Sequence, residues 1–311
     1  MARVAFFGLG AMGRPLAVNL LADGHRVAVY DCSNQACRVL AEHGAIVGDS
    51  PANTARDCEF VITVLPTSVE VASTLRGPQG AFSAARPNAV FIEMTTGSVA
   101  DFIALHGEAR SLGIILIDSP IARGPDFAQR RQNLFLMGGE SWEIDRVRPI
   151  LSPICEEIIH CGPAVTALKT KIINNYLAAV SAVANAEALA LAEAAGLDRG
   201  FLRMLWKRTV AGRGALETVY PEKALAGDFS PGFSARLARK DLKLAQEMGE
   251  RFGVPLATGA AACEMFMLQQ MQGRIDEDWT ALLDVLTTMR AGSDRSQPMR
   301  MGEGKVSDQE G

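Results

Sequence analysis

The chain has 311 residues, of which 48% are hydrophobic and 21% charged, with a formal net charge of −4 at pH 7. That length suffices for two domains with separate cores, and the charge provides no basic field to draw DNA or RNA. The start of the chain carries one arginine and then a strand-like run without a cleavage-site pattern, so a cytoplasmic protein with no secretory leader is expected. Its 6 cysteines form no CxxC pair and its 4 histidines no HExxH pattern, so reduced thiols and no metal site are expected.

Taken in chain order, the first element is an apolar run over 4–7, which ends in Gly8-Leu9-Gly10-Ala11-Met12-Gly13 and passes directly into a helix-like segment. This GxGxxG order predicts a dinucleotide pyrophosphate site. Gly8 makes the tight turn, Gly10 lets the backbone approach phosphate, and Gly13 permits close helix-to-strand packing, with the phosphates facing the positive helix N-terminus. Pro15 falls in the first helical turn, where a missing amide hydrogen costs nothing. A glycine turn alone is weak, but 26–31 forms a second short strand whose last residue, Asp31, stands 18 positions past Gly13. Asp31 is placed to accept both ribose hydroxyls of an adenosine. A 2′-phosphate would meet its carboxylate, and Cys32 and Ser33 follow it in place of an arginine, so NAD is expected rather than NADP.

Further runs over 60–65, 90–93 and 114–118 read as strands separated by stretches long enough for crossover helices. They predict an α/β fold whose N-terminal Rossmann domain, 1–163, is a doubly wound parallel sheet. From Val165 the strand signal stops, and Ala, Leu, Glu and Met recur at helical spacing, which predicts an all-helical C-terminal domain over 164–292 for substrate binding and oligomerisation. Its opening helix, 164–195, would be roughly 40 Å or more in length and serve as an interdomain spine. The apolar stretch 176–195 carries Asn185, Glu187 and Glu193, which favours a buried helix over a membrane span. Residues 293–311 lack apolar periodicity and are expected to form a flexible tail.

With these features in place, the chain resembles the β-hydroxyacid dehydrogenase family, which includes 3-hydroxyisobutyrate dehydrogenase. The opening pattern continues as Arg14-Pro15, Asn19-Leu20 and Gly24-His25. The fourth-strand end is Thr63-Val64-Leu65-Pro66, the turn after the fifth strand Thr95-Thr96, the helix signature Lys171-Ile172-Ile173-Asn174-Asn175, and the late lysine motif Lys240-Asp241-Leu242. The resemblance implies NAD-linked hydride transfer, with Leu65, Pro66, Thr96 and Lys240 at the nicotinamide end. It also implies Lys171 as the catalytic acid/base. Related enzymes often have Asn where this chain has Glu70, which leaves that cofactor contact open.

Lys171 and Asn175 are spaced i and i+4, with Asn174 beside them, so an ammonium and two amides share one helix face and converge on one small polar molecule. Lysine supplies a proton at the reacting oxygen, or takes one in reverse more readily if desolvation lowers its pKa. The apolar neighbours Ile172, Ile173 and Leu177 suggest such a buried setting.

The substrate loop departs from the family. Where relatives carry a serine and glycines, this chain has Ala122, Arg123 and Gly124, so the serine hydroxyl is lost and an arginine replaces a glycine. An arginine fork there would clamp a carboxylate, sulfonate or phosphate. Members acting on sulfonated aldehydes are similar at this position, which implies reduction of 3-sulfolactaldehyde to 2,3-dihydroxypropane-1-sulfonate. The flanking Asp126 works against an anion. Substrates left open within the class are 3-hydroxyisobutyrate, tartronate semialdehyde and succinic semialdehyde. Outside it stand an imine reductase, which usually lacks the helix lysine, and a non-catalytic NAD-binding module. The expected partners are a small acidic aldehyde or hydroxy acid and further copies of the chain in a homodimer or homotetramer, with no nucleic acid and no membrane.

Overall fold

The computed structural model describes residues 1–293, so the tail expected over 293–311 lies, from residue 294, outside the described residues. Two compact units are present, Met1–Leu177 and a second from Ala178 onward. The division falls inside the long helix, so Lys171, expected in the second domain, belongs to the first unit.

The first unit holds nine strands: β1 (Arg3–Phe7), β2 (Arg26–Tyr30), β3 (Ile46–Val47), β4 (Phe60–Thr63), β5 (Val90–Glu93), β6 (Ile115–Asp118), β7 (Ile121–Ala122), β8 (Leu134–Gly138) and β9 (Glu157–Gly162). Helices α1 (Gly13–Ala22), α2 (Asn34–Glu42), α3 (Pro51–Ala55), α4 (Ser68–Leu75), α5 (Val99–Ser111), α6 (Pro125–Gln129) and α7 (Ser141–Leu151) lie between them, and α8 (Thr166–Ala194) follows. The sheet order is β3-β2-β1-β4-β5-β6-β8-β7, with β9 paired to β8. The strands from β3 to β6 are parallel. This is the expected doubly wound half, in which both faces are buried and strands read as continuous apolar runs. β8 runs antiparallel to β6 and β7 and parallel to β9, an extension that the sequence reading did not contain.

Alternation along each strand divides the core. Val4, Phe6, Ile62, Val90 and Ile92 point to one face, where they meet Leu16 and Leu20 of α1, Leu40 of α2 and Ile144 of α7. Ala5, Phe7, Val61, Phe91 and Leu116 point to the other, against Val71 and Leu75 of α4, Phe102 and Leu105 of α5, and Leu168 at the start of α8. Each large side chain removed from water contributes about 1.5–3 kcal/mol, so a register slip that exchanged the faces would lose the fold. Asn19 of α1 is buried and donates to the Ala128 carbonyl of α6 at 2.9 Å, tying the first helix to the loop after β7.

The second unit contains α9 (Arg199–Trp206), α10 (Val210–Arg213), α11 (Ala215–Thr218), α12 (Ala235–Phe252), α13 (Ala257–Met271) and α14 (Leu282–Ser293). Its core gathers Ala235, Ala238, Phe266 and Ile275, and no strand occurs after β9 among the described residues. The helix expected over 164–195 is α8, but not as a buried one. It is long and apolar enough to cross a membrane, and only 11% of its most apolar stretch is buried. Ala167, Leu168 and Lys171 near its start, and Leu191 and Ala192 near its end, are buried. Among the described residues, the side chains between them are mostly exposed.

Candidate active site

The three glycines of the first turn each meet a different constraint. Gly8 has φ +90°, and a Cβ there would strike the Val64 carbonyl. At Gly13 a Cβ would strike the Gly8 carbonyl and crowd Phe6, so the close approach of α1 to β1 requires glycine. Around Gly10 a Cβ would meet nothing within 4 Å, so here the glycine leaves open space instead of relieving a protein contact. Helix α1 begins without a side-chain cap and without an acidic residue in its first turn. Its amides are therefore left for an anion. A cleft of about 540 Å³ opens over this turn, lined by Gly8, Gly10, Ala11, Met12, Gly13, Asp31, Leu65 and Pro66, with Cys32 and Glu70 also on its wall. Leu9 is buried beneath it and donates its amide to Asp31 Oδ2 at 2.6 Å, while Ser33 donates to Oδ1 at 2.7 Å. Two amides hold the carboxylate in place, and its remaining lone pairs are available to ribose hydroxyls. A dinucleotide fits this set of donors and spaces.

At the other end of the cleft, Glu70 sits in the first turn of α4 and accepts from Thr67 Oγ1, which holds its carboxyl below the usual carboxylate range. Thr96 is exposed on the turn after β5, outside the residues that line the cleft. The two neighbourhoods are joined by Thr95, whose hydroxyl accepts from the Leu65 amide at 3.0 Å.

Lys171 is 9% exposed, while Lys169, Thr170 and every residue from Ile172 to Val180 are exposed. Ile172, Ile173 and Leu177, expected to be buried, are not: 37%, 68% and 54% of their surface is open. They point around the helix, whereas Lys171 follows Ala167 and Leu168 by four and three positions on the face packed against the sheet. Desolvation alone lowers the Lys171 pKa from the ordinary lysine value. Asn174 and Asn175 are exposed next to it, with Asn174 Nδ2 3.4 Å from Asn175 Oδ1.

The start of α8 is held from the sheet. Asp118, at the end of β6, accepts from the amides of Val165 at 2.7 Å and Leu168 at 2.8 Å. Burial raises the Asp118 pKa, and these amides oppose the rise.

In the substrate loop, Ala122 is half-buried and Gly124 is the N-cap position before α6. Arg123 has φ +72°, the left-handed region that glycine occupies readily and other residues seldom do. Its guanidinium is already engaged: Nη1 donates to Glu156 Oε2 and the Gln132 carbonyl, and Nη2 to Glu156 Oε1 at 3.2 Å. The pair raises the arginine pKa and lowers that of Glu156. The expected open fork for a substrate anion is thus closed by an internal carboxylate, Glu156, which immediately precedes β9. Asp126 stands exposed in the first turn of α6. Lys240 lies on α12 in the second unit, is exposed, and pairs with Asp241 at 2.8 Å.

The sequence reading did not single out Glu93, which is 4% exposed at the end of β5 and in register with Thr63 of β4 and Asp118 of β6. Its Oε1 accepts from the Thr95 amide at 2.8 Å and from Thr63 Oγ1 at 3.3 Å. Burial raises its pKa to about 7. The signal was present, since two successive apolar strands both end in a carboxylate. Among the described residues no cluster of histidine, cysteine and acidic side chains could hold a metal ion, and all six cysteines are free thiols.

Residues 3–162 match the family described as the NAD binding domain of 6-phosphogluconate dehydrogenase. Residues 166–286 match that described as the NAD-binding domain of NADP-dependent 3-hydroxyisobutyrate dehydrogenase. The chain is 36% identical to the 3-sulfolactaldehyde reductase of Escherichia coli over 91% of its length and 95% of that protein's. It is 32% identical to the NAD-dependent L-serine dehydrogenase of Pseudomonas aeruginosa over 91% and 97%. Among solved structures, the Mycobacterium tuberculosis 3-hydroxyisobutyrate dehydrogenase with L-serine superposes with a TM-score of 0.64 at 33% identity, over 92% of this chain and 99% of that one. An imine reductase from Pseudomonas sp. superposes with a TM-score of 0.79 at 20% identity, over 92% and 99%, and shares the fold. Two domain matches that follow one another along the chain, together with relatives alike over nearly their whole length, place this protein among the NAD-dependent β-hydroxyacid dehydrogenases.

Proposed function

We propose that the chain reduces a short aldehyde bearing an acid group, with 3-sulfolactaldehyde the preferred substrate and 2,3-dihydroxypropane-1-sulfonate the product. The burial of Lys171 on an otherwise exposed stretch of α8 carries the reading, because desolvation lowers its pKa and makes it a readier proton exchanger than a surface lysine. NAD supplies the chemistry of hydride transfer. Gly8 to Gly13 and the open N-terminus of α1 hold its phosphates, Asp31 its adenosine ribose, and Leu65, Pro66 and Thr96 border its nicotinamide. Lys171 donates a proton to the substrate oxygen as the aldehyde is reduced, and takes it back from the alcohol in the opposite direction. Asn174 and Asn175 orient the substrate's polar oxygens.

Arg123, flanked by Ala122 and Gly124, holds the substrate's acid group by exchanging Glu156 for it. The Arg123–Glu156 pair is partly exposed, with 32% and 50% of the side chains open, so solvent screens it and the two groups separate readily. A charge-assisted, bidentate bond to a substrate anion shielded from water is the stronger contact, which favours the exchange. The similarity to 3-sulfolactaldehyde reductase supports a sulfonate over a carboxylate. The exposed apolar residues of α8, Ile173, Tyr176 and Leu177 among them, support cover by a second copy in a cytoplasmic homodimer or homotetramer. An NADH-oxidation panel comparing 3-sulfolactaldehyde with tartronate, succinic and methylmalonic semialdehydes tests the substrate. A kcat/KM for any carboxylate equal to or above that for the sulfonate refutes the sulfonate preference.

A further inference from the structure

Two buried side chains join the loop after β4 to the turn after β5. Glu93 Oε1 accepts the Thr95 amide at 2.8 Å, and Thr95 Oγ1 in turn accepts the Leu65 amide at 3.0 Å. Both acceptors are almost fully buried, at 4% and 3% exposure, so the buried Thr95 amide has no water to replace Glu93, and the partly buried Leu65 amide turns inward to Thr95. A third bond lies nearby, from the Ser98 amide to Ser68 Oγ at 2.8 Å. We propose that Glu93 and Thr95 form a positioning relay that fixes Leu65 and Pro66 against Thr96, and so sets the width of the space that receives the nicotinamide. The inference rests on the placement of the nicotinamide beside Leu65, Pro66 and Thr96 given above.

The choice of residue supports this role. Glu93 faces a cavity of about 240 Å³ lined by Val71, Phe102, Leu105 and Leu168, surroundings in which a carboxyl costs stability and a leucine would pack. Polar groups that oppose stability gather where a function requires them. Asp118 faces Glu93 from β6 and discourages its ionisation, while Arg76, which follows α4, and Asp101 of α5 line the same cavity. The relay therefore carries a group that titrates near neutral pH with its charged neighbours identified.

Thr95→Val removes the acceptor for the Leu65 amide at nearly constant volume. It should weaken NADH about tenfold and lower kcat by a similar factor, while the affinity for ADP-ribose, which lacks nicotinamide, stays within about twofold; Thr95→Ser should restore both. A folded Thr95→Val enzyme with the parent NADH affinity and kcat overturns the relay. If that variant does not fold, the pH dependence of NADH affinity decides between outcomes. The parent should change between pH 6 and 8 and Glu93→Gln should not, and identical profiles overturn the proposal. Thr96→Trp separates the relay from its premise, because a bulky side chain on that exposed turn should exclude NADH and spare ADP-ribose. Parent NADH affinity and turnover in Thr96→Trp refute the nicotinamide placement itself, whereas loss there with a parent-like Thr95→Val refutes the relay alone.

Discussion

The carboxylate of Asp118 caps helix α8 from outside the helix, accepting the Leu168 amide at 2.8 Å and placing Lys171 less than one turn further on. An N-cap is ordinarily the residue that precedes its helix. Here the cap comes from the end of a core strand, so the height of Lys171 is set by the sheet and not by the loop over 163–165. Gly138 of β8 lies directly against the same carboxylate, where any Cβ would collide with it.

Replacing Lys171 by alanine should reduce kcat by about 10²–10⁴, the usual contribution of a positioned proton donor, while NADH affinity remains within a few-fold. Because desolvation lowers the Lys171 pKa, alcohol oxidation, which needs the neutral amine, should rise with pH and level off below the ordinary lysine range. Stopped-flow turnover and fluorescence titration of NADH measure the two effects. Substantial residual turnover would remove Lys171 from its role.

Arg123 and Glu156 give paired and opposite expectations. Arg123→Gly relieves a left-handed backbone but deletes the anion contact, and should raise KM for an acidic aldehyde by roughly tenfold to a thousandfold. Glu156→Gln frees the fork and should lower KM by a few-fold. If KM is unchanged in both variants, the arginine serves only the loop.

Asp31→Ala removes the acceptor of the Leu9 and Ser33 amides and the repulsion toward a 2′-phosphate. NADH affinity should fall and the preference for NADH over NADPH should narrow, as read from Kd values for the two cofactors. An unaltered ratio would place cofactor discrimination elsewhere.

Glu93 makes a separate claim on stability. Its folded-state pKa, about 7, lies above the unfolded value near 4.3. The folded protein therefore binds this proton more tightly, and the associated stability, present below the unfolded value, is lost as pH rises toward 7. Glu93→Gln should accordingly match the parent near pH 4.5 and exceed it at pH 8, by roughly 4 kcal/mol at most. Denaturant melts across that range would show the gap open, and a constant gap would mean that the Glu93 pKa is the same folded and unfolded.

The parallel half of the sheet was legible because its strands, buried on both faces, are short apolar runs set off by turn residues. The reasons for Gly8 and Gly13 could be read from their spacing alone. β3 was missed because it is two exposed residues at an edge, and β9 because Glu157 to Gly162 alternates weakly and stays largely open to solvent. The reversal of β8 depends on the path of a connection, which composition does not encode. Lys171 was correctly expected to be buried but for a mistaken reason, since its apolar neighbours face away from the sheet. Arg123 pairs with a residue 33 positions distant, and Glu93 meets Asp118 only through strand register. Neither relationship has a local signature.

Cys32 lies exposed on the wall of the dinucleotide cleft, adjacent to Asp31, while Cys37, Cys58, Cys155 and Cys263 are buried. Burial pushes the Cys58 and Cys155 thiols up to about 11, which keeps them unreactive at neutral pH. Among the described residues Cys32 is thus the one exposed thiol, with Cys161 partly exposed outside the cleft lining. A dinucleotide seated over Asp31 should slow alkylation of Cys32 and leave that of Cys161 unchanged, which reads occupancy without any turnover.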